Sequence, residues 1–430
     1  MDPLSSGLII NAFAQGARRL EGLPAAPLLK TEDQDRMFNS FSPTRRWVAR
    51  LFVFLSFAWL AACQPVLVDP NANSGQRIDT SRPVQVALLV PGGSGEGSEQ
   101  LLASNLENAA RMAMADLNGV DVDLRVYNTA GNPQQAATVA RAAVDEGAKI
   151  ILGPLFAESA NAVGVAVAGD NVNVLAFSNN PTIAGGNVFV LGSTFQNSAN
   201  RLVNYASRNG LSRFGIVHGD DVPGASGRDA ITNAVRANGA QVAGVASYPL
   251  SQQGIFSNIS QITSTLRNGG ADAVFMTGGV TADLPIIATA LDDNGYGPDR
   301  VQYIGLTRWD SVPQALELTS LQGGLFAVPD RALAASFESR YFSTYGSTPH
   351  PLAGLAYDGI AAIGALVATG EADALTRNGL TTPQGFTGTN GVFRFLPNGL
   401  NERGLAVATI QNNQVLILES APRSFGGSGS

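Results

Sequence analysis

From Val84 onward the chain alternates short apolar runs with longer stretches of helical periodicity, and this alternation leaves few architectures open. The run over 84–90 is almost wholly apolar, as a strand covered on both faces must be. Over 99–117, Leu102, Leu106, Ala109, Ala110 and Ala113 recur on one side of a helix. A strand over 122–127 follows, then a helix over 133–146 with Asn132 as cap and Pro133 as first residue. Strands over 150–152, 172–177 and 188–191, with a helix reaching 168 among them, complete a first set. A second set repeats the pattern: helices over 195–208, 225–237, 256–266 and 281–291 alternate with strands over 214–218, 242–248, 273–277 and 301–304. This spacing predicts an α/β chain with parallel sheets and helices on both faces. Helices over 333–345 and 352–369 then precede strand candidates over 392–395, 405–410 and 415–418, which resemble an antiparallel finish.

Composition narrows the function classes. Hydrophobic residues at 45% and charged residues at 14% exclude a disordered chain. Abundant glycine (48 residues) and frequent alanine predict short helices lying close on their strands. The net charge of −7 argues against nucleic acid as a partner. Two histidines, His218 and His350, cannot build a His-based metal site, and no metal-ligand spacing is present. No cofactor is expected, and one cysteine allows no internal disulfide framework. A chain of 430 residues exceeds one simple core and fits two lobes.

The single cysteine ends an apolar run. Arg45, Arg46 and Arg50 precede residues 51–62, which close on Leu60-Ala61-Ala62-Cys63. A basic region, a short apolar stretch and small residues before a cut site make a secretory signal. The run is shorter than the roughly 20 residues that span a bilayer, and the arginines argue against a buried core helix. The Leu-Ala-Ala-Cys ending resembles the bacterial lipobox, whose Cys becomes the lipidated first residue of the mature chain. On this reading residues 37–62 are a lipoprotein signal peptide starting at Met37, and Cys63 is the lipidation site. Residues 1–36 are then an artefact of start-site choice, or a disordered or cleaved segment. The expected location is the periplasm, with the membrane touched only through the lipid anchor; Gln64 in place of an Asp favours the outer membrane. Residues 63–83, polar and aperiodic, read as a flexible tether reaching about 25 Å, and 419–430 as a disordered tail.

Four stretches, in order, resemble the leucine-binding family with the type I periplasmic-binding fold. They are the strand and turn from Val86 to Gly95, Ile151-Leu152-Gly153-Pro154-Leu155-Phe156 with Glu158-Ser159, the run from Asn173 to Pro181, and the run from Ala271 to Gly279. The resemblance covers 84–418. It implies two Rossmann-like lobes joined by a three-crossing hinge, one of 84–194 plus 325–388 and the other of 195–324 plus 389–418. It places a ligand in the cleft between them, where open α/β sheets and domain interfaces favour binding.

The same resemblance points to site residues. Family members hold a ligand's carboxylate and amine with loops that here offer Glu158, Ser159, Ser178, Asn179 and Asn180; the hydroxyls, amides and helix N-terminal N–H groups among them suit a carboxylate. Ser159 and Asn180 serve equally as helix or turn caps. Ser94 and its glycines line the mouth or simply make a tight connection. In the second lobe the family places an aromatic residue and an acid; here Val280-Thr281 stands at the first position and Thr307-Arg308 at the second, with Asp310 as a substitute acid and Trp309 as a lid. Arg308 either faces the cleft, favouring an anionic ligand, or pairs with Asp310 on the surface. Asp221 either contacts ligand or caps the next helix, and His218 reads as a packed histidine.

No nucleophile elbow, HExxH or kinase set is present, so an enzyme is not expected. Two uses of the fold remain. One is a substrate-binding lipoprotein of an ABC importer that hands a small polar or anionic, amino-acid-type ligand to a permease. The other is an LpoA-like lipoprotein activating a penicillin-binding protein, that is, a peptidoglycan synthase. The missing second-lobe amino-acid contacts and the segments 391–395 and 403–407 favour the latter; the absence of a helical-repeat domain ahead of Val84 opposes it.

Overall fold

In the computed structural model, which describes residues 73–425, the first lobe opens with β1 (Val84–Val90), α1 (Gly97–Ala115), β2 (Val122–Asn128), α2 (Pro133–Asp145), β3 (Ile150–Leu152), α3 (Ala157–Val167), β4 (Asn173–Ala176) and β5 (Val188–Val190). These strands make one sheet in the order β2-β1-β3-β4-β5, every pair parallel. The five residues predicted for the buried face of α1 are all buried. Asn132 accepts a hydrogen bond from the Gln135 amide at 3.0 Å and Pro133 opens α2, as their order dictates. On the opposite face the sheet is covered by Ala136, Ala140 and Ala143 of α2 with Val163 and Val167 of α3; small side chains let these helices lie close.

The second lobe runs through α4 (Phe195–Arg208), β6 (Arg213–Gly219), α5 (Val222–Ala237), β7 (Gln241–Tyr248), α6 (Gln252–Gly269), β8 (Ala273–Met276), α7 (Leu284–Asp293), β9 (Gln302–Gly305), α8 (Pro313–Leu316) and β10 (Leu325–Val328). The chain then returns through α9 (Arg331–Tyr345), α10 (Ala353–Val367) and α11 (Arg377–Leu380) to β11 (Phe386–Gly388), β12 (Gly391–Phe395), β13 (Asn401–Arg403), β14 (Ala406–Gln411) and β15 (Gln414–Glu419). Seven strands form the second sheet in the order β15-β14-β10-β9-β8-β6-β7. β6 to β10 are parallel, and β14 and β15 close the sheet antiparallel. The α/β architecture, the two lobes and the antiparallel finish thus match the sequence reading.

Several boundaries differ from it. Leu325–Val328, expected to begin the return to the first lobe, pairs with β9 and β14 in the second sheet. Residues 386–403 form a separate antiparallel sheet, β11-β12-β13, so that 389–403, expected in the second lobe, do not join its sheet. Phe386, Phe393 and Phe395 bury into the first-lobe core, with Phe395 edge-on to Phe189 at 5.6 Å. The stretch expected as a tether is docked where it is described. Ile78 is buried in the first-lobe core and its amide donates to Ala372 O at 2.8 Å, while Asn173 donates to Ser74 O at 3.1 Å. Its partners lie far along the chain, so local polarity was no guide to its order. Likewise Glu419 accepts from Arg201 at 2.6 Å, and Ala421 is buried against the second-lobe core. Residues 1–36, the signal segment 37–62, Cys63 and residues 426–430 lie outside the described residues.

Three crossings join the lobes: β5 to α4, β10 to α9, and β13 to β14. Asn401 ties two of them, its side-chain amide donating to Val190 O and Gly192 O, both at 2.8 Å. Asn197 donates back to Asn401 O at 3.0 Å, and Asp330 N donates to Asn390 O at 2.9 Å.

Candidate functional site

A cleft of about 660 Å³ opens where the crossings meet. Its first-lobe wall comes from the loop after β3 (Leu155, Phe156, Ala157), the loop after β4 (Phe177, Ser178, Asn179, Asn180) and the turn after β5 (Gly192, Ser193). Both loops leave the carboxyl ends of parallel strands, which is why they converge there. The second lobe adds Ser198, Arg308 and Ala327, and the crossings add Pro329, Asn390, Arg403 and Leu405. Among the described residues, no aspartate or glutamate lines the cleft.

Ser178, Asn179, Asn180 and Arg308, anticipated from the sequence, therefore share one cavity. Ser178 is buried and its hydroxyl accepts from Asn180 N at 3.1 Å. Asn180 also caps the following turn, accepting from Thr182 N at 3.0 Å, so its cleft and capping roles coexist. Gly192 admits this wall at all: a Cβ there would collide with the Ser178 carbonyl. Arg308 is half exposed and holds Asp310 through both carboxylate oxygens, at 3.0 and 2.8 Å. Surface pairing and a place in the cleft are thus both observed.

The other anticipated residues fall elsewhere. Ser94 sits in its turn accepting from Glu96 N at 3.2 Å, away from the cleft lining. Glu158 is exposed on the first turn of α3, and Ser159 is fully buried with its hydroxyl unpartnered; neither lines the cleft. Asp221 caps α5, accepting from Gly224 N at 2.8 Å. With Thr307 it lines a separate second-lobe pocket of about 530 Å³. Trp309, offered as a lid, is buried in the second-lobe core against Phe326 at 5.9 Å, because Gly305 and Gly324 leave room for its ring. His218 is packed, its Nδ1 2.8 Å from Gly219 O.

Sequence reasoning missed Arg403. Its side chain is only 6% exposed, yet it lines the cleft. Nη2 donates to Leu191 O, and the guanidinium lies over the Phe393 ring at 5.2 Å. Nη1 stands 3.6 Å from Oδ2 of Asp358, a fully buried acid of α10 whose Oδ1 accepts from Thr389 N at 2.6 Å. Burial pushes the Asp358 carboxyl up, even beside the arginine. One signal was available: Asp358 is the only charged residue in Ala353–Val367, and a lone charge in an apolar helix needs a buried partner.

A sequence model described as periplasmic binding protein matches residues 83–414. The chain belongs to the periplasmic binding protein family. Among solved structures, this binding protein is similar to a putative branched-chain amino acid ABC transporter of Rhodospirillum rubrum (17% identity, TM-score 0.66), covering 78% of this chain and all (100%) of that one. It is also similar to a branched chain amino acid ABC transporter periplasmic ligand-binding protein of Burkholderia xenovorans (17% identity, TM-score 0.60), over 79% and 96% of the two chains. An uncharacterized protein of Rickettsia prowazekii is 24% identical over 160 residues, 36% of this chain and 41% of its own length. Among the described residues, no helix is long and apolar enough to cross a membrane.

Proposed function

We propose that the protein is a non-enzymatic, extracytoplasmic solute-binding lipoprotein. It captures a small polar or anionic solute between its lobes and presents the closed form to an ABC permease. The observation that supports this best is the cleft itself: hydrogen-bonding loops of one lobe face an arginine of the other across a three-crossing hinge. Closure about such a hinge lets both lobes share one ligand. Ser178, Asn179 and Asn180 are the first-lobe contacts and Arg308 the second-lobe contact. Cys63 carries the lipid that holds the protein to the membrane, and its replacement by Ser should release the protein from the membrane fraction.

The direct test is thermal unfolding against a panel of amino acids and small anions. A ligand at a hundred times its dissociation constant adds about 2.7 kcal/mol of stability. A shift confined to one chemical class supports capture.

A second reading, activation of a peptidoglycan synthase, has one observation in its favour: Trp309 is buried and Asp310 is engaged with Arg308, so neither covers a ligand. A flat panel together with retention of a penicillin-binding protein on the immobilised protein would favour it.

A further inference from the structure

We propose that the cleft selects an organic monocarboxylate with an apolar body and no ammonium group, its carboxylate held by Arg403 and Arg308 and Arg403 positioned by Asp358. This rests on the solute-capture reading and names its substrate class.

Arg403 carries the argument. Its side chain is more than nine-tenths buried and forms part of the cleft wall, held there by donation from Nη2 to Leu191 O. The 3.6 Å separation from Asp358 exceeds a hydrogen bond, so the acid steadies the charge without saturating the donors. A guanidinium desolvated at the cleft wall favours an anion, because charge-assisted hydrogen bonds to it are the strong ones. Arg308 adds a second guanidinium from the opposite lobe.

The acids that balance these two cations are absent from the lining: Asp358 is fully buried, and Asp310 is held by Arg308. An α-ammonium entering with the carboxylate would lose its hydration with no carboxylate among the described lining residues to receive it. Most of the remaining wall is apolar, including Leu155, Phe177, Leu352, Leu355, Val392 and Leu405. That surface suits a branched or aromatic body, in keeping with the general make-up of ligand pockets.

Calorimetric titration of the purified protein with matched ligands tests this. Isocaproate is leucine without its ammonium, hydrocinnamate is phenylalanine without it, and isocaproamide removes the charge of the acid. At least one acid should bind, and should bind about tenfold or more tightly than its amino-acid partner and, for isocaproate, than the amide. Arg308→Ala, at a half-exposed position, should weaken the acid by about tenfold and the amide by clearly less. Arg403→Lys should do the same where the variant folds; Arg308→Ala keeps the test decisive where it does not. An amino acid binding as tightly as its ammonium-free partner overturns the proposal and leaves solute capture standing. A panel in which nothing binds overturns the proposal, and solute capture falls with it only where the wider panel of amino acids and small anions is flat as well.

Discussion

The two lobes share one strand–helix grammar but reach the cleft by different means. The first lobe presents neutral hydrogen-bonding groups on loops that directly follow its own strands, Ser178 to Asn180 after β4 and Ser193 after β5. The second presents little from its strand ends: Arg308 after β9, already held by Asp310, while Trp309 beside it turns into the core. What the second lobe does not offer, the crossings supply as Arg403. The cleft's chemistry is therefore split between loops that leave their own strands directly and a hinge arginine that faces an acid on a helix of the first lobe. A ligand held by both would be held by the hinge itself, which links binding to closure.

The comparison can be broken at several points. The largest effect is expected from Asp358→Ala, which leaves Arg403 buried without its counter-charge and should cost about 3–5 kcal/mol. Chemical denaturation would measure it, and a loss under about 1 kcal/mol would show that the pair does not hold the hinge arginine. Phe393→Ala should cost a similar amount, about 3–5 kcal/mol, because the ring sits in the first-lobe core and beneath the Arg403 guanidinium. If the small sheet belonged to the second lobe instead, limited proteolysis of that variant would open the second lobe first.

Smaller effects follow at the crossings. Asn401→Ala should cost about 1–3 kcal/mol, since the carbonyls of Val190 and Gly192 lose their donor. Gly192→Ala should cost about 1–3 kcal/mol by overpacking against the Ser178 carbonyl, and should weaken ligand binding at the cleft wall it forms.

The smallest effect belongs to the second-lobe edge. Burial alone would raise the Glu419 carboxyl, but hydrogen bonds from Arg201 and Arg208 outweigh it and hold its pKa below the ordinary 4.5. Its stabilisation is present above the unfolded-state value and lost as pH falls through the lower folded-state value. Because the side chain is 34% exposed, Glu419→Gln should cost less than about 1 kcal/mol at neutral pH and nothing in acid, as paired thermal melts would show.

Legibility followed the range of the interactions. Elements whose signals are local, such as α1 with its alanine and leucine stripe or α2 with its Asn132 cap and Pro133, stand where periodicity and end signals put them. Ser178 to Asn180 and Arg308 were legible because they follow strands, and strand ends converge in this class of sheet. Asp221, Thr307 and Trp309 follow strands too, yet they went elsewhere: one to a cap, one to a second pocket, one to the space above two glycines.

The sequence by itself determined the alternation, the parallel sheets and the division into two lobes, because apolar periodicity and end signals act within a few residues. Only the tertiary structure decided that Leu325–Val328 completes the second sheet, that Phe386 to Phe395 pack on the first lobe, and that Arg403 reaches the cleft over Asp358. Those outcomes depend on partners dozens to hundreds of residues away. Burial of a charge or an aromatic ring is settled by what packs around it, and no local pattern records that.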